Sequence, residues 1–221
     1  MDFSGYQANS YYLYRIRGAN FFLLPEKAIY WKEKKTVILA DIHLGKAAHF
    51  RKSGIQIPES VHISDYIRIK NLISTFRPEK ILILGDLFHS ELNQEWNRFS
   101  QWICTQKDTQ FLLIKGNHDI LPNEIYNISN LEVINESLRI DDFAFIHQAA
   151  EINSIYSISG HIHPAVRIYG PAKQSVTLPC FYFTQSKGIL PAFGNFTGIA
   201  KIKPKENDDI FVILENSVMK I

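Results

Sequence analysis

The chain has 221 residues, of which 46% are hydrophobic and 21% charged, with 24 Lys and Arg against 22 Asp and Glu. Such a chain lies outside the low-hydrophobicity, high-charge regime of disordered proteins, and its length suits one domain spanning residues 1–221. A formal net charge of +2 excludes a strong global field, so any nucleic-acid contact must come from a local patch.

The first twenty residues include Asp2, Arg15 and Arg17 and lack the apolar stretch of a secretory leader. Apolar runs elsewhere are shorter than the ~18 residues of a membrane span, so a soluble, cytoplasmic protein without a membrane partner is expected. Cys104 and Cys180 are too few for a disulfide framework and lack zinc-site spacing. Both are expected to be small packed side chains. Strand-length runs rich in β-branched and aromatic residues occupy 11–16, 21–24 and 36–40. Next, Ile63, Tyr66, Ile69, Ile73 and Phe76 step by three and four between Pro58 and Pro78, which predicts an amphipathic helix with Pro58 in its first turn. After a strand at 80–84, Leu92, Trp96, Phe99 and Ile103 predict a second helix. Further strands are expected at 109–114, 142–146 and 154–159. Beyond residue 130 hairpins take over, 131–140 into 143–146 and 210–214 into 218–221. Strand–helix alternation followed by strands predicts two packed sheets flanked by helices.

Five apolar runs end in a residue able to bind metal. They lead to Asp41 and His43, to Gly85 and Asp86, to Gly116, Asn117, His118 and Asp119, to His147, and to Gly160, His161 and His163. Ligands gather outside the carboxyl ends of parallel strands, so all five ends could share one crevice. Multiplying residue frequencies, chance supplies roughly 0.4 Asp-x-His and 0.5 Gly-Asp, but only about 0.001 Gly-Asn-His-Asp and 0.01 Gly-His-x-His. The last two blocks carry the specificity. Carboxylate oxygens and imidazole nitrogens suit divalent ions, and a carboxylate can bridge two of them. Asp86 is the natural bridge, with Asp41, His43 and His163 completing one site and Asn117, His147 and His161 the other. Such a centre attracts phosphate and makes hydroxide available near neutral pH. His118 can then face the leaving oxygen as general acid or electrostatic stabiliser, with Asp119 orienting its ring. His62 receives no role, and His49 and His89 are at most rim residues.

These blocks, in order over residues 41–163, resemble those of the calcineurin-like metallophosphoesterases. The resemblance implies an α/β fold, a four-layer α/β/β/α sandwich of two mixed sheets flanked by helices. It also implies two divalent ions, manganese foremost, with iron, zinc or cobalt as alternatives, and hydrolysis of phosphate esters. A narrower resemblance rests on DIHLGKAAHFRKSGIQIP from Asp41, LGDLFHS at 84–90, GHIHPAV at 160–166, LPCF at 178–181 and ILPAFGNFTG at 189–198. These segments are similar to the bacterial ligase-associated DNA-damage-response endonucleases, which implies DNA as substrate and a DNA ligase, an exonuclease and a helicase as partners.

Lys46, Arg51 and Lys52 follow the first block in a Gly-containing loop, and Lys115 and Arg167 adjoin later blocks, where they could contact phosphates flanking the scissile one. The expected function is hydrolysis of phosphodiester bonds, as a nuclease in DNA repair. The alternative is a phosphodiesterase or phosphatase for small nucleotides or other phosphorylated metabolites. A non-catalytic scaffold is disfavoured because His118 and all seven candidate ligands are present.

Overall fold

The structure, a computed structural model, describes residues 10–46, 60–88, 92–152, 154–195 and 197–221. Its first sheet runs in chain order: β1 (Tyr12–Ile16), β2 (Ala19–Leu24), β3 (Ala28–Trp31), β4 (Thr36–Leu39), β5 (Lys80–Leu84), β6 (Gln110–Ile114) and β7 (Leu131–Ile134). The first four strands form an antiparallel meander, and β4 to β7 are parallel. Parallel neighbours need long crossovers. Helix α1 (Ser60–Phe76) lies in the first of these and α2 (Gln94–Cys104) in the second. Asn93 caps α2, its Oδ1 accepting the Glu95 N–H at 2.9 Å.

The second sheet contains β8 (Ser137–Ile140), β9 (Phe143–Ile146), β10 (Tyr156–Ser159), β11 (Pro164–Tyr169), β12 (Ser175–Phe183), β13 (Lys187–Ile189), β14 (Ala200–Lys201), β15 (Asp209–Ile213) and β16 (Val218–Lys220). Its spatial order is β14-β11-β12-β13-β10-β9-β8, with β15 also on β12 and β16 on β15. Strands β9, β10 and β13 are parallel.

Alternation divides each buried strand between two cores. In the first sheet Phe21, Trp31, Ile38, Leu82 and Leu112 face the second, meeting Phe143, Phe145, Ile158, Phe181 and Phe211. Phe143 lies 5.2 Å from Phe21 and 5.4 Å from Trp31 between ring centroids. The opposite face, with Phe22, Tyr30, Val37, Ile81 and Phe111, packs on Ile69, Leu72 and Phe76 of α1 and Trp96, Phe99 and Ile103 of α2. Two mixed sheets therefore stack as expected. Both described helices cover the first sheet, while the outer face of the second carries a small cluster of Val166, Cys180, Ile210 and Val212.

Several expectations change in detail. The run 131–140 is two strands, β7 in the first sheet and β8 in the second, so the chain crosses between sheets at Asn135 and Glu136 before the β8–β9 hairpin forms. Leu92 precedes the α2 cap and is exposed, so that helix starts later than its period suggests. Burial pushes the Cys180 thiol up to about 12, as befits a packed side chain, whereas Cys104 is exposed at the end of α2. Pro58, His49, Arg51, Lys52 and His89 lie outside the described residues.

Candidate metal centre

The three parallel ends of β4, β5 and β6 meet the two of β9 and β10 at one edge of the sandwich. Hydrogen bonds join them across the sheets: His161 N–H to Asp41 Oδ2 at 2.9 Å and His147 Nδ1 to the Leu84 carbonyl at 2.9 Å. Within the first sheet the ladder continues past the strands, with Asp41 N–H on Gly85 O at 3.1 Å and His43 N–H on Asp86 O at 2.9 Å. The backbone turns abruptly at these ends. Asp41, His43, Asp86, His161 and His163 all hold left-handed conformations, with φ between 52° and 68°. Each such residue costs of the order of 1–3 kcal/mol and persists only where its surroundings fix it. The close approach also demands small residues: a Cβ on Gly160 would come within 2.5 Å of Asp41 Oδ2 and 2.6 Å of Ala40 Cβ. On Gly116 it would strike the Asp86 carboxylate.

Two donor groups result, Asp41 with His43 and His163, and Asp86 with His147 and His161, each with its atoms within 4.8 Å of one another. Asp86 lies between them, Oδ2 3.7 Å from His43 Nε2 and Oδ1 3.5 Å from His147 Nε2. Both carboxylates are buried, Asp41 at 0% and Asp86 at 2% exposure. Buried charge without a counter-charge is costly. Asp41 uses Oδ2 for the His161 N–H, and its Oδ1 faces His163 Nε2 at 3.4 Å with neither atom hydrogen-bonded.

The imidazoles are pre-oriented. A carbonyl can only accept, so His147 Nδ1 donates to Leu84 O, and His163 Nδ1 donates to Gly198 O at 3.0 Å. In a neutral ring so oriented Nε2 keeps its lone pair, the arrangement that metal-binding histidines require. His161 Nδ1 faces His147 Nε2 at 3.1 Å. Oxygen and nitrogen donors with inward lone pairs, around a carboxylate shared by both groups, fit divalent cations.

Asn117 and His118 form the exposed tip of the turn after β6. The His118 N–H donates to Asp86 Oδ1 at 2.9 Å, and its ring meets that of His43 edge-on at 5.3 Å between centroids. His118 therefore sits beside the donor groups without belonging to either. Asp119 is buried, and its oxygens accept the N–H of Phe88 at 3.1 Å and of Gly116 at 2.9 Å. The Phe88 contact clamps the third loop to the second, and the Gly116 contact closes the third loop on itself. Burial raises the Asp119 carboxyl to about 6, against those two donors and with the Asp86 charge. Burial lowers the Lys46 ammonium, opposed by the Asp86 charge, so Lys46 lies in the field of the centre. Lys115 instead bonds Asn123 Oδ1 at 2.7 Å. Arg167 is four residues along the chain from His163, roughly 13 Å at strand spacing, and outside both donor groups.

Some supporting residues were not foreseen. Glu95 Oε2 accepts the Gly45 N–H at 2.7 Å, so the first turn of α2 fixes the loop after His43. Past β13, Phe193 N–H bonds Ala40 O at 2.8 Å and Gly194 N–H bonds Asp41 O at 3.0 Å. The segment ILPAFGNFTG thus seats the first ligand loop, and its Gly198 orients His163. No spacing rule marks these contacts, because they are made by backbone atoms or by residues distant in sequence.

A two-sheet sandwich with paired Asp and His groups at its strand ends defines a metal-dependent hydrolase. The chain belongs to the calcineurin-like phosphoesterase family, which it matches over residues 34–213. That family binds two divalent metals, and the matched span contains both donor groups. The structure is also similar to the crystal structure of Pseudomonas putida nuclease MPE, with a TM-score of 0.79 and 26% identity over 96% of this chain and 100% of that one. No curated protein matches the chain significantly. Among the described residues no helix is long and apolar enough to cross a membrane.

Proposed function

We propose that the protein hydrolyses phosphodiester bonds in DNA at two divalent ions, manganese first among them, held by Asp41, His43 and His163 and by Asp86, Asn117, His147 and His161. The observation that carries this reading is the position of Asp86, whose two oxygens face the two donor groups at 3.7 and 3.5 Å. Bound there, the ions would neutralise phosphate charge and lower the pKa of a water. His118, exposed beside His43, holds the proton for the leaving oxygen. Asp119 keeps the His118 turn docked on Phe88, and Lys46 adds positive charge at the phosphate.

DNA is favoured over a small ester by similarity to a nuclease over 96% of the chain and by the resemblance to ligase-associated endonucleases. The same reading assigns a cytoplasmic repair role beside a DNA ligase, an exonuclease and a helicase. The test is turnover by manganese-loaded protein of plasmid DNA and single-stranded oligonucleotides, beside cyclic nucleotides and bis(p-nitrophenyl) phosphate. DNA cleavage with hydrolysis of the synthetic diester is expected. Turnover of small nucleotides with intact DNA would replace this reading by the small-molecule phosphodiesterase.

A further inference from the structure

Strand β12 has two halves with different neighbours. Residues 180–183 pair with β15, and their inward side chains Phe181 and Phe183 enter the core between the sheets. Residues 175–179 pair instead with β11, which also pairs with β14, forming a three-stranded leaf that continues past that core. Alternation carries the core-facing side outward from Phe183 and Phe181 through Pro179, Thr177 and Ser175. Their registered partners Ala165, Arg167 and Tyr169 share that face, with Lys201 beside Ala165. On the opposite face Val166, Ile168, Leu178 and Ile202 pack around Cys180. One side of the leaf is therefore a small core, while the other exposes Arg167, Lys201 and Tyr169, the last at 73%.

The exposed side has a definite chemistry. Its registered positions carry two cations, an aromatic ring and two hydroxyls, and no acid. The Arg167 Nε and Nη2 donate to Ser175 Oγ at 2.9 and 2.6 Å, and its guanidinium lies 5.4 Å from the Tyr169 ring centroid. A neutral hydroxyl holds the guanidinium in place and leaves its charge uncompensated. Among the described residues no carboxylate pairs with it. By contrast, the cavity of about 850 Å³ between α1 and the β15–β16 turn is lined by Lys27 and Arg68 but also by Glu26 and Glu215, a balance that does not select a polyanion. The leaf is tied to the chemistry because β11 begins directly after His163. Along the strand Arg167 and Tyr169 lie roughly 13 and 20 Å from that histidine, a few nucleotides away.

We propose that the leaf face bearing Lys201, Arg167 and Tyr169 binds the single DNA strand leading to the metal centre, with the two cations on its phosphates and Tyr169 under a base. This rests on the DNA reading above. Arginine and an exposed aromatic ring together are what sequence-tolerant binding of a single strand uses.

The experiment compares kcat/KM for a 20-nucleotide single strand and for bis(p-nitrophenyl) phosphate, with manganese, over a range of salt. For the Arg167→Ala/Lys201→Ala variant the oligonucleotide slope against log salt should flatten by about 1.4, or 0.7 for each lost contact. Tyr169→Ala should lower oligonucleotide turnover about 10-fold, and Tyr169→Phe should restore it, because stacking needs the ring and not its hydroxyl. Hydrolysis of the small diester, and the melting temperature, should stay at wild-type values. Wild-type oligonucleotide rates and slopes in every variant would overturn the proposal while leaving the DNA reading intact, as would equal losses on both substrates. A wild-type protein that hydrolyses the small diester and spares the oligonucleotide overturns both.

Discussion

Charge is buried in two neighbouring places in this molecule and is compensated in opposite ways. Behind the first ligand loop, the Arg68 guanidinium donates to Asp65 Oδ1 at 2.8 Å, to the Phe193 carbonyl and to the Glu26 carbonyl at 3.4 Å, and lies 4.0 Å from the Phe193 ring centroid. Cation, anion and the acceptors of the terminal guanidinium nitrogens come from the chain, while Arg68 Nε has no hydrogen-bond partner among the described residues. At the strand ends the chain supplies carboxylates and imidazole lone pairs and leaves Asp41 Oδ1 and His163 Nε2 without hydrogen bonds. The first arrangement is structural, and the second is complete only with a cation from outside. The two are joined, since Phe193 and Gly194 also bond the backbone of Ala40 and Asp41. Internal compensation thus builds the scaffold on which the external kind depends.

The sharpest way to break this contrast is Asp86→Ala. Removing the carboxylate between the two donor groups should lower bound metal and cut turnover more than about a thousandfold, since the lost charge stabilisation is worth several kcal/mol. Asp141→Ala should change neither, because Asp141 is exposed in the β8–β9 turn and, among the described residues, pairs with Lys34 of the β3–β4 turn. Elemental analysis showing equal metal in wild type and Asp86→Ala would remove Asp86 from the centre. A finer division separates ligands from the proton donor. His118→Asn should keep its metal yet slow hydrolysis by ~10²–10⁴, with a smaller defect on nitrophenyl esters, whose leaving group needs no proton. Equal losses on good and poor leaving groups would argue against proton donation.

On the scaffold side, Arg68→Met takes the counter-charge from Asp65, which is 4% exposed. Breaking a buried pair costs about 3–5 kcal/mol, and near 200 residues each kcal/mol lowers Tm by about 2–4 °C. Chelation should destabilise wild type and Arg68→Met alike if the arginine acts only within the scaffold. A variant whose Tm no longer responds to chelator would show that Arg68 holds the ligand loop in its metal-binding form.

The two regions were not equally legible in the sequence. The strand-end residues stood out because Gly-Asn-His-Asp and Gly-His-x-His are improbable in a chain of this composition, and both fall after apolar runs. The Arg68 network gave no signal, since Arg68 and Phe193 are 125 residues apart and one partner is a carbonyl. Nor did the left-handed backbone at five donors, because Asp and His carry no mark of it as glycine does. In the fold, β3 escaped although it is buried throughout like β4 and β9, which the sequence does mark as strands. The run 131–140 read as one strand because a crossing between sheets needs only two polar residues, Asn135 and Glu136, and no turn motif marks it.

The smallest effect tests how complete the internal compensation is. Lys27 lines the cavity beside Arg68, and its ammonium is lowered to about 8 by burial, with Arg68 adding repulsion and Asp65 partly opposing it. In the unfolded chain the same group titrates near ~10.4. Between these values the unfolded chain holds a proton that the folded one has released, so stability rises with pH across the window from about 8 to 10.4. Below it both states are charged and the folded state bears the full cost, roughly 3 kcal/mol at one pKa unit per 1.36 kcal/mol. Buried tyrosines such as Tyr156, raised by desolvation, act in the opposite direction at the upper end, so the difference between wild type and Lys27→Met is the quantity to read. Urea unfolding at pH 7, 8, 9 and 10 should show the variant more stable at pH 7, with the gap closing as pH rises. A gap that is absent, or constant over the whole range, would mean that the cavity compensates the Lys27 charge.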